Sequence, residues 1–131
     1  DAPSREECTA QRPTSNTPLA ALALLNDPTF VEAARVFAVR IIREGGNDTA
    51  ARITWLWRQS TSRNPAPRET AVVSRLLDKH LRHFREHPQA AQKLLSVGMA
   101  SRPDDIPVAE LAAWTSVARA LMNLNETITR N

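Results

Sequence analysis

The sequence predicts an all-α protein, a bundle of about five or six helices with short connections marked by proline and glycine. Apolar residues recur every three or four positions along most of the chain, which is the helical period. Most of the 9 prolines precede such a run, and the 3 glycines follow one, as expected at helix starts and ends. No stretch shows the alternation of β-branched residues that is typical of a strand.

The 131 residues are enough for one domain with a substantial core. Residues 1–16 are polar and contain two prolines, so they are predicted to form an extended arm. Residues 17–131 are predicted to form a single helical domain. The chain starts without a methionine or a signal peptide, which by itself fits either a soluble protein or a fragment; the family resemblance described below implies a fragment of a larger domain and protein.

Two helices are predicted before residue 46. Thr17-Pro18 starts the first, because a threonine hydroxyl can cap free amides and proline suits the first helical position. Pro28 disfavours the α conformation at Asp27, so the first helix ends there and Asp27 caps the second. Gly45-Gly46 ends the second helix.

A third helix is predicted from a cap at Asn47 or Asp48 to about Ser62. Its inner face carries Ile53, Leu56 and Trp57. Trp55 points elsewhere, about 200° from Ile53. Two interpretations of Trp55 remain open: a protein interface, or burial under the N-terminal arm.

The fourth helix is predicted to start at Pro67 and end near His87. Glu69 can reach back to free amides, but Ala66 has no hydroxyl, so only half of a capping box is present. The inner face is predicted to comprise Val72, Val73, Leu76, Leu77, Leu81 and Phe84.

Two further helices follow. Pro88 starts the fifth, which stops at Gly98. Pro107 starts the last one after the longest internal loop. Its apolar residues are predicted to form one stripe made of Leu111, Trp114, Val117, Ala118, Leu121 and Leu124.

The net charge is +3 and the isoelectric point about 10.0, with arginine far more common than lysine. The basic residues are spread and interleaved with acidic ones, and no basic run alternates with aromatic residues. This pattern favours a solvated surface over a nucleic-acid-binding one. No apolar run reaches membrane length, so no transmembrane segment is predicted.

His80, His83 and His87 are the candidate metal ligands. At positions i, i+3 and i+7 they share one arc of the fourth helix, and histidines so spaced can bind zinc or copper. No fourth ligand is marked, and Arg82 and Arg85 beside them oppose a cation. The simpler interpretation is that these are structural histidines, with His80 hydrogen-bonded at the edge of the core.

A second candidate is a group of polar residues that flank apolar helix segments. If the last helix packs on the first two, they could form a buried polar network or, alternatively, a ligand site. The group comprises Asn26, Asp27, Asn123, Asn125 and Glu126.

No cofactor is predicted for this segment. It lacks a haem-attachment motif, a phosphate-binding glycine loop and a nucleophilic serine signature. The single cysteine, Cys8, excludes an internal disulfide and is interpreted as a packed or exposed thiol.

The run N-T-P-L, followed by L-N-D-P-T-F-V-E-A-A-R, resembles the C-terminal part of the planctomycete-type PSD-one family, a domain of unknown function (1553). The family is found in large exported bacterial proteins, often beside cytochrome-c-like domains. The resemblance therefore implies an exported parent protein, periplasmic or at the cell surface. The residues that carry it are Asp1–Glu6, Cys8, Thr14–Arg35, Arg63, Pro65, Glu69, Glu110–Trp114 and Ala118–Glu126.

We therefore expect a non-catalytic helical interaction or structural module whose partners are other domains of the parent protein. The alternative is half of a metal-binding, ligand-binding or enzymatic site that upstream domains complete. Polar side chains that converge on an open pocket would favour the alternative. Side chains bonded to the backbone of a closed core would favour the module.

Overall fold

The structure is a computed structural model that describes residues 27–98 and 101–129, with side chains up to residue 124. In these ranges the chain forms helices and no strand, which confirms the all-α prediction. The predicted N-terminal arm and the first predicted helix lie outside the described residues. The five helices are α1 (Pro28–Glu44), α2 (Thr49–Thr61), α3 (Pro67–Glu86), α4 (Pro88–Leu95) and α5 (Val108–Thr129).

Helix α5 lies at the centre of the bundle and packs against all four of the others. Residues 111–118, eight in succession, are all buried. Only apolar, small or internally bonded side chains occur in this run; the hydroxyl of Thr115, for example, donates to the carbonyl oxygen of Leu111 at 2.7 Å. The prediction of a single apolar stripe was therefore too narrow, because residues 111–118 of α5 are covered around the whole circumference of the helix.

Helix α1 begins and ends as its sequence predicts. The carboxylate of Asp27 accepts from the backbone N–H of Thr29 at 2.8 Å and of Phe30 at 3.4 Å. After Glu44 the chain turns at Gly46, where φ is +113°, a region that favours glycine. The face turned toward α5 carries Val31, Ala34, Ala38 and Ile41.

Helix α2 is capped by Asp48, whose carboxylate accepts from the N–H of Ala51 at 2.7 Å. The helix ends at Ser62, which adopts the left-handed conformation with φ +64°. Ile53, Leu56 and Trp57 are buried, as predicted.

Helix α3 shows the half capping box, since Glu69 accepts from the N–H of Ala66 at 2.8 Å. Val73, Leu77 and Phe84 form its buried face. The prediction was wrong for Val72, which is 49% exposed. Val72 lies one position away from Val73 and so about 100° farther round the helix, beyond the reach of α5.

Helix α4 buries Ala91 and Leu95 against the bundle. Gly98 follows with φ +89°, and its backbone lies close to the side chain of Glu32 on α1. Any larger side chain at position 98 would collide there. In the connection to α5, Ile106 is buried and returns the chain to the core.

Candidate functional site

Of the three histidines predicted as metal ligands, His80 and His83 lie on α3 and His87 follows its last residue, but the structure does not bring them together as a ligand set. The rings of His83 and His87 stack at 4.6 Å, whereas the ring of His80 stacks on Phe84 at 6.2 Å. Nδ1 of His87 donates to the carbonyl oxygen of His83 at 2.9 Å, so this nitrogen is not available to a metal. No group of three or more His, Cys, Asp or Glu side chains within residues 27–98 and 101–124 is arranged to hold a metal ion.

The charges around His80 also oppose a cation. The pKa of His80 is lowered mainly by partial burial of the ring, and the positive charges of Lys79, His83 and Arg119 lower it further. A half-buried imidazole next to Phe84, in surroundings that disfavour its charged form, agrees with the interpretation of His80 as a residue at the edge of the core.

Only part of the predicted polar network can be placed. Asp27 is exposed and caps α1 instead of facing a pocket. Asn123 is half-buried on α5. Asn26 and the side chains of Asn125 and Glu126 lie outside the described residues, so a shared network stays a prediction.

Trp55 packs on α1. Its two predicted roles, a protein interface and burial under the N-terminal arm, stay predictions, because the arm lies outside the described residues. The ring centroid of Trp55 lies 5.9 Å from that of Phe37, and the guanidinium of Arg40 lies 5.2 Å from the ring centroid. Arg40 is in turn paired with Glu44 at 3.4 Å. The half-buried indole thus packs α2 against α1.

Sequence reasoning missed two arginines that tie the bundle together. Arg35 is only 1% exposed within the buried face of α1, and its Nη1 donates to the carbonyl oxygen of Ser101 at 3.2 Å. Arg52 on α2 donates to the carbonyl oxygen of Ile42 at 3.1 Å and pairs with Glu110 on α5 at 3.2 Å. The sequence did carry a signal for Arg35, since it is a charged residue inside the apolar face of its helix.

An apolar groove lies between α3 and α5, and we call it the α3–α5 groove. Its volume is about 270 Å³, and its walls are apolar almost throughout. Leu124 on α5 is 51% exposed here, opposite the exposed Val72. The prediction that Leu124 belongs to the buried stripe was therefore wrong. Arg68 and Glu69 lie at the rim, and the walls are formed by Trp57, Val72, Val73, Leu76, Leu121 and Leu124.

One end of the groove is held by Arg63, in the connection between α2 and α3. Its guanidinium lies 5.4 Å from the ring centroid of Trp57 and donates to both carboxylate oxygens of Glu69, at 2.8 and 2.9 Å. These bonds, with the one from the N–H of Ala66, lower the pKa of Glu69 to about 2. The acidic group at the rim is therefore ionised and already paired.

A family model described as PSD1, "Protein of unknown function (DUF1553)", matches residues 1–77, more than half of the chain. The chain belongs to the PSD1 family. Neither a comparison with curated proteins nor one with solved structures gives a significant match.

The matched part of this PSD1 chain ends within α3. It includes one wall of the α3–α5 groove, with Trp57, Val72 and Leu76, whereas the opposite wall on α5 lies beyond it. The resemblance at Glu110–Trp114 and Ala118–Glu126 thus falls outside the match. Among the described helices of the PSD1 chain, none combines the length and the apolar character needed to cross a bilayer.

Proposed function

We propose that this PSD1 chain is a non-catalytic helical module that binds other domains of its parent polypeptide, which supply any chemistry. The parent would be a large exported bacterial protein, found in the periplasm or at the cell surface and associated with cytochrome-c-like domains. Support for the parent comes from the family resemblance. Support for the module comes from the surface of the bundle.

The observation that carries the proposal is the α3–α5 groove. Val72 and Leu124, from its two walls, are among the three large hydrophobic residues that remain exposed in the described part of the chain. The two side chains and the groove between them form one apolar surface with charged residues at its rim, which supports an interaction site here. Among the polar side chains proposed as site residues, Asp27 caps α1 and His87 bonds to the backbone, and both are structural uses.

The proposal is tested by site-specific photocrosslinking in the full-length parent protein. A photoreactive phenylalanine analogue is placed at Val72, and in a matched variant at Val36. Val36 is an exposed valine of similar accessibility, 45% against 49%, on α1 and away from the groove. We expect crosslinks to other domains of the same polypeptide from position 72 and few from position 36. Equal crosslinking from both positions, or none from position 72, would reject the module.

The alternative, half of a metal site completed by another domain, is supported by one observation. His83 and His87 are exposed and adjacent, so two imidazoles could serve a metal whose other ligands come from elsewhere. Zinc added to the parent protein should then raise its melting temperature, because a ligand that binds only the folded state stabilises it. The rise should disappear in His83→Ala. No rise would leave only the interaction module.

A further inference from the structure

The charges beside the α3–α5 groove are strongly one-sided. Arg68, Arg75 and Lys79 are all exposed, and at 100° per residue they lie within about 40° of one another on α3. Val72 lies next to this stripe. None of the three cations takes part in an ion pair within the described residues. The groove is thus an apolar cleft with an unpaired basic edge, which we call the basic stripe.

The acidic residues nearby do not cancel this charge. Glu69 is already paired with Arg63. Asp78 lies about a quarter turn farther round α3 from the basic stripe. An occupant of the groove therefore meets positive charge along one side, and negative charge on the occupant would be attracted there.

The dimensions of the groove fit a helix. Glu69 at the rim and Leu76 in the wall are seven positions apart on α3, about 10 Å along its axis. This is also the distance between positions i and i+7 of a docked helix, so two or three apolar side chains would fill the groove. The groove is slightly smaller than the roughly 300–1,000 Å³ of small-molecule pockets, and it has almost no polar groups to orient such a ligand.

We propose that the α3–α5 groove binds an amphipathic helix whose apolar stripe is flanked on one side by acidic residues. This inference rests on the proposed function and names the chemistry of the partner. A helix packed nearly parallel to α3 would meet Arg68 and Arg75 with acidic residues seven positions apart. A third acidic residue, four positions beyond, would meet Lys79.

A second copy of the chain suits this surface poorly. In a twofold dimer the same surface patch occurs on both partners. The basic stripe of one copy would then lie near that of the other, and like charges at close range oppose association. Charge complementarity thus favours an acidic segment over the chain itself.

The test uses two synthetic helical peptides that share leucines at positions i, i+4 and i+7. One carries glutamates seven positions apart beside the leucines, and the other carries lysines there. Binding to the chain is followed by fluorescence anisotropy. We expect the glutamate peptide to bind about tenfold more tightly at low salt, since two or three exposed ion pairs replace repulsions, and the advantage should shrink as salt is added.

Two kinds of variant locate the site. Val72→Asp should abolish binding of the glutamate peptide, whereas Val36→Asp, at a similarly exposed valine outside the groove, should leave it unchanged. The double variant Arg68→Glu and Arg75→Glu should reverse the preference in favour of the lysine peptide. All these side chains are exposed, and circular dichroism verifies that each variant is folded.

Equal binding of the two peptides, or binding that survives Val72→Asp, would overturn the inference. Two other outcomes would also overturn it, if neither peptide is preferred. Dimerisation that depends on Val72 would assign the groove to a second copy of the chain. Recruitment to anionic lipid vesicles that depends on Val72 would assign it to a membrane. Crosslinks from position 72 to other domains without a peptide preference would reject the acidic helix and keep the module. If position 72 gives no crosslinks and neither peptide is preferred, the acidic helix and the interaction module are both rejected.

Discussion

The central position of α5 makes a prediction about two leucines on one helix. The apolar pattern places Leu111 and Leu124 on the same stripe, so from the sequence alone both should contribute alike. In the structure Leu111 is fully buried and Leu124 is 51% exposed. The two substitutions Leu111→Ala and Leu124→Ala change the side chain and the helix propensity identically, and differ only in burial.

The expected costs follow from that difference. A Leu→Ala change removes about three carbons, or roughly 2.4 kcal/mol of transfer free energy at about 0.8 kcal/mol each. At a closed site such as Leu111 the cavity adds to this, for a total of about 3–5 kcal/mol. At Leu124 about half of the side chain is in water already, so we expect a loss of about 1 kcal/mol. Since domains are stable by about 5–15 kcal/mol, Leu111→Ala should remove a large share of the stability.

Urea unfolding followed by far-ultraviolet circular dichroism measures the free energy of unfolding of both variants, and thermal unfolding followed in the same way gives their melting temperatures. At about 4 °C per kcal/mol for a domain of this size, melting temperatures should fall by roughly 12–20 °C for Leu111→Ala and by about 4 °C for Leu124→Ala. If the two variants lose equal stability, α5 is not enclosed by the other four helices, and the argument from its burial is refuted.

Three further predictions concern single residues at helix ends. Asp48→Ala removes the carboxylate that caps α2 and should cost about 1 kcal/mol of unfolding free energy; an unchanged urea midpoint would contradict the cap. Ser62→Gly should stabilise the protein by up to about 1 kcal/mol, because glycine adopts the left-handed conformation without strain. The control Ser96→Gly, at a residue with φ −90°, should give no gain. Glu69→Gln should destabilise at neutral pH, because the carboxylate pKa lies near 2 in the folded protein, below its ordinary 4.5. The difference in stability between Glu69→Gln and the unsubstituted chain should therefore vanish as the pH falls from about 4.5 to 2. Thermal melts measure it, and a difference that stays constant across this range would contradict the prediction.

Much of the fold could be predicted because its helix ends are marked locally. Asp27-Pro28, Asp48, Pro67 and Pro88 each carry a cap or a proline whose physical effect extends only a few residues, so neighbouring helices are not needed to interpret them. The helices between these marks followed the apolar period. Local chemistry thus determines where each helix starts.

Burial was predicted less well, because it depends on which helix covers which flank. Val72 and Val73 have the same side chain, and only the position of α5 makes one exposed and the other buried. Ala112 and Ser116 carry little hydrophobic signal, yet both are buried because other helices surround them. The groove escaped prediction for the same reason, since its walls come from helices that are far apart in the sequence.

The candidate sites show a similar limit. The spacing of the three histidines correctly placed His80 and His83 on one helix, whereas His87 lies just beyond its end. It could not show that the ring of His80 packs on Phe84, or that a ring nitrogen of His87 bonds to the backbone. Side-chain orientation and tautomer depend on neighbours that spacing does not reveal.

The position of α5 has a consequence for biosynthesis. The helix that every other helix packs against is the last of the described helices to leave the ribosome. At about 5–20 residues per second, its 22 residues take about one to four seconds to synthesise, and during that time α1 to α4 have no common partner. Their apolar faces are then exposed to chaperones and proteases. A premature stop before residue 108 would leave these four helices permanently in that state, so their packing depends on the synthesis of α5.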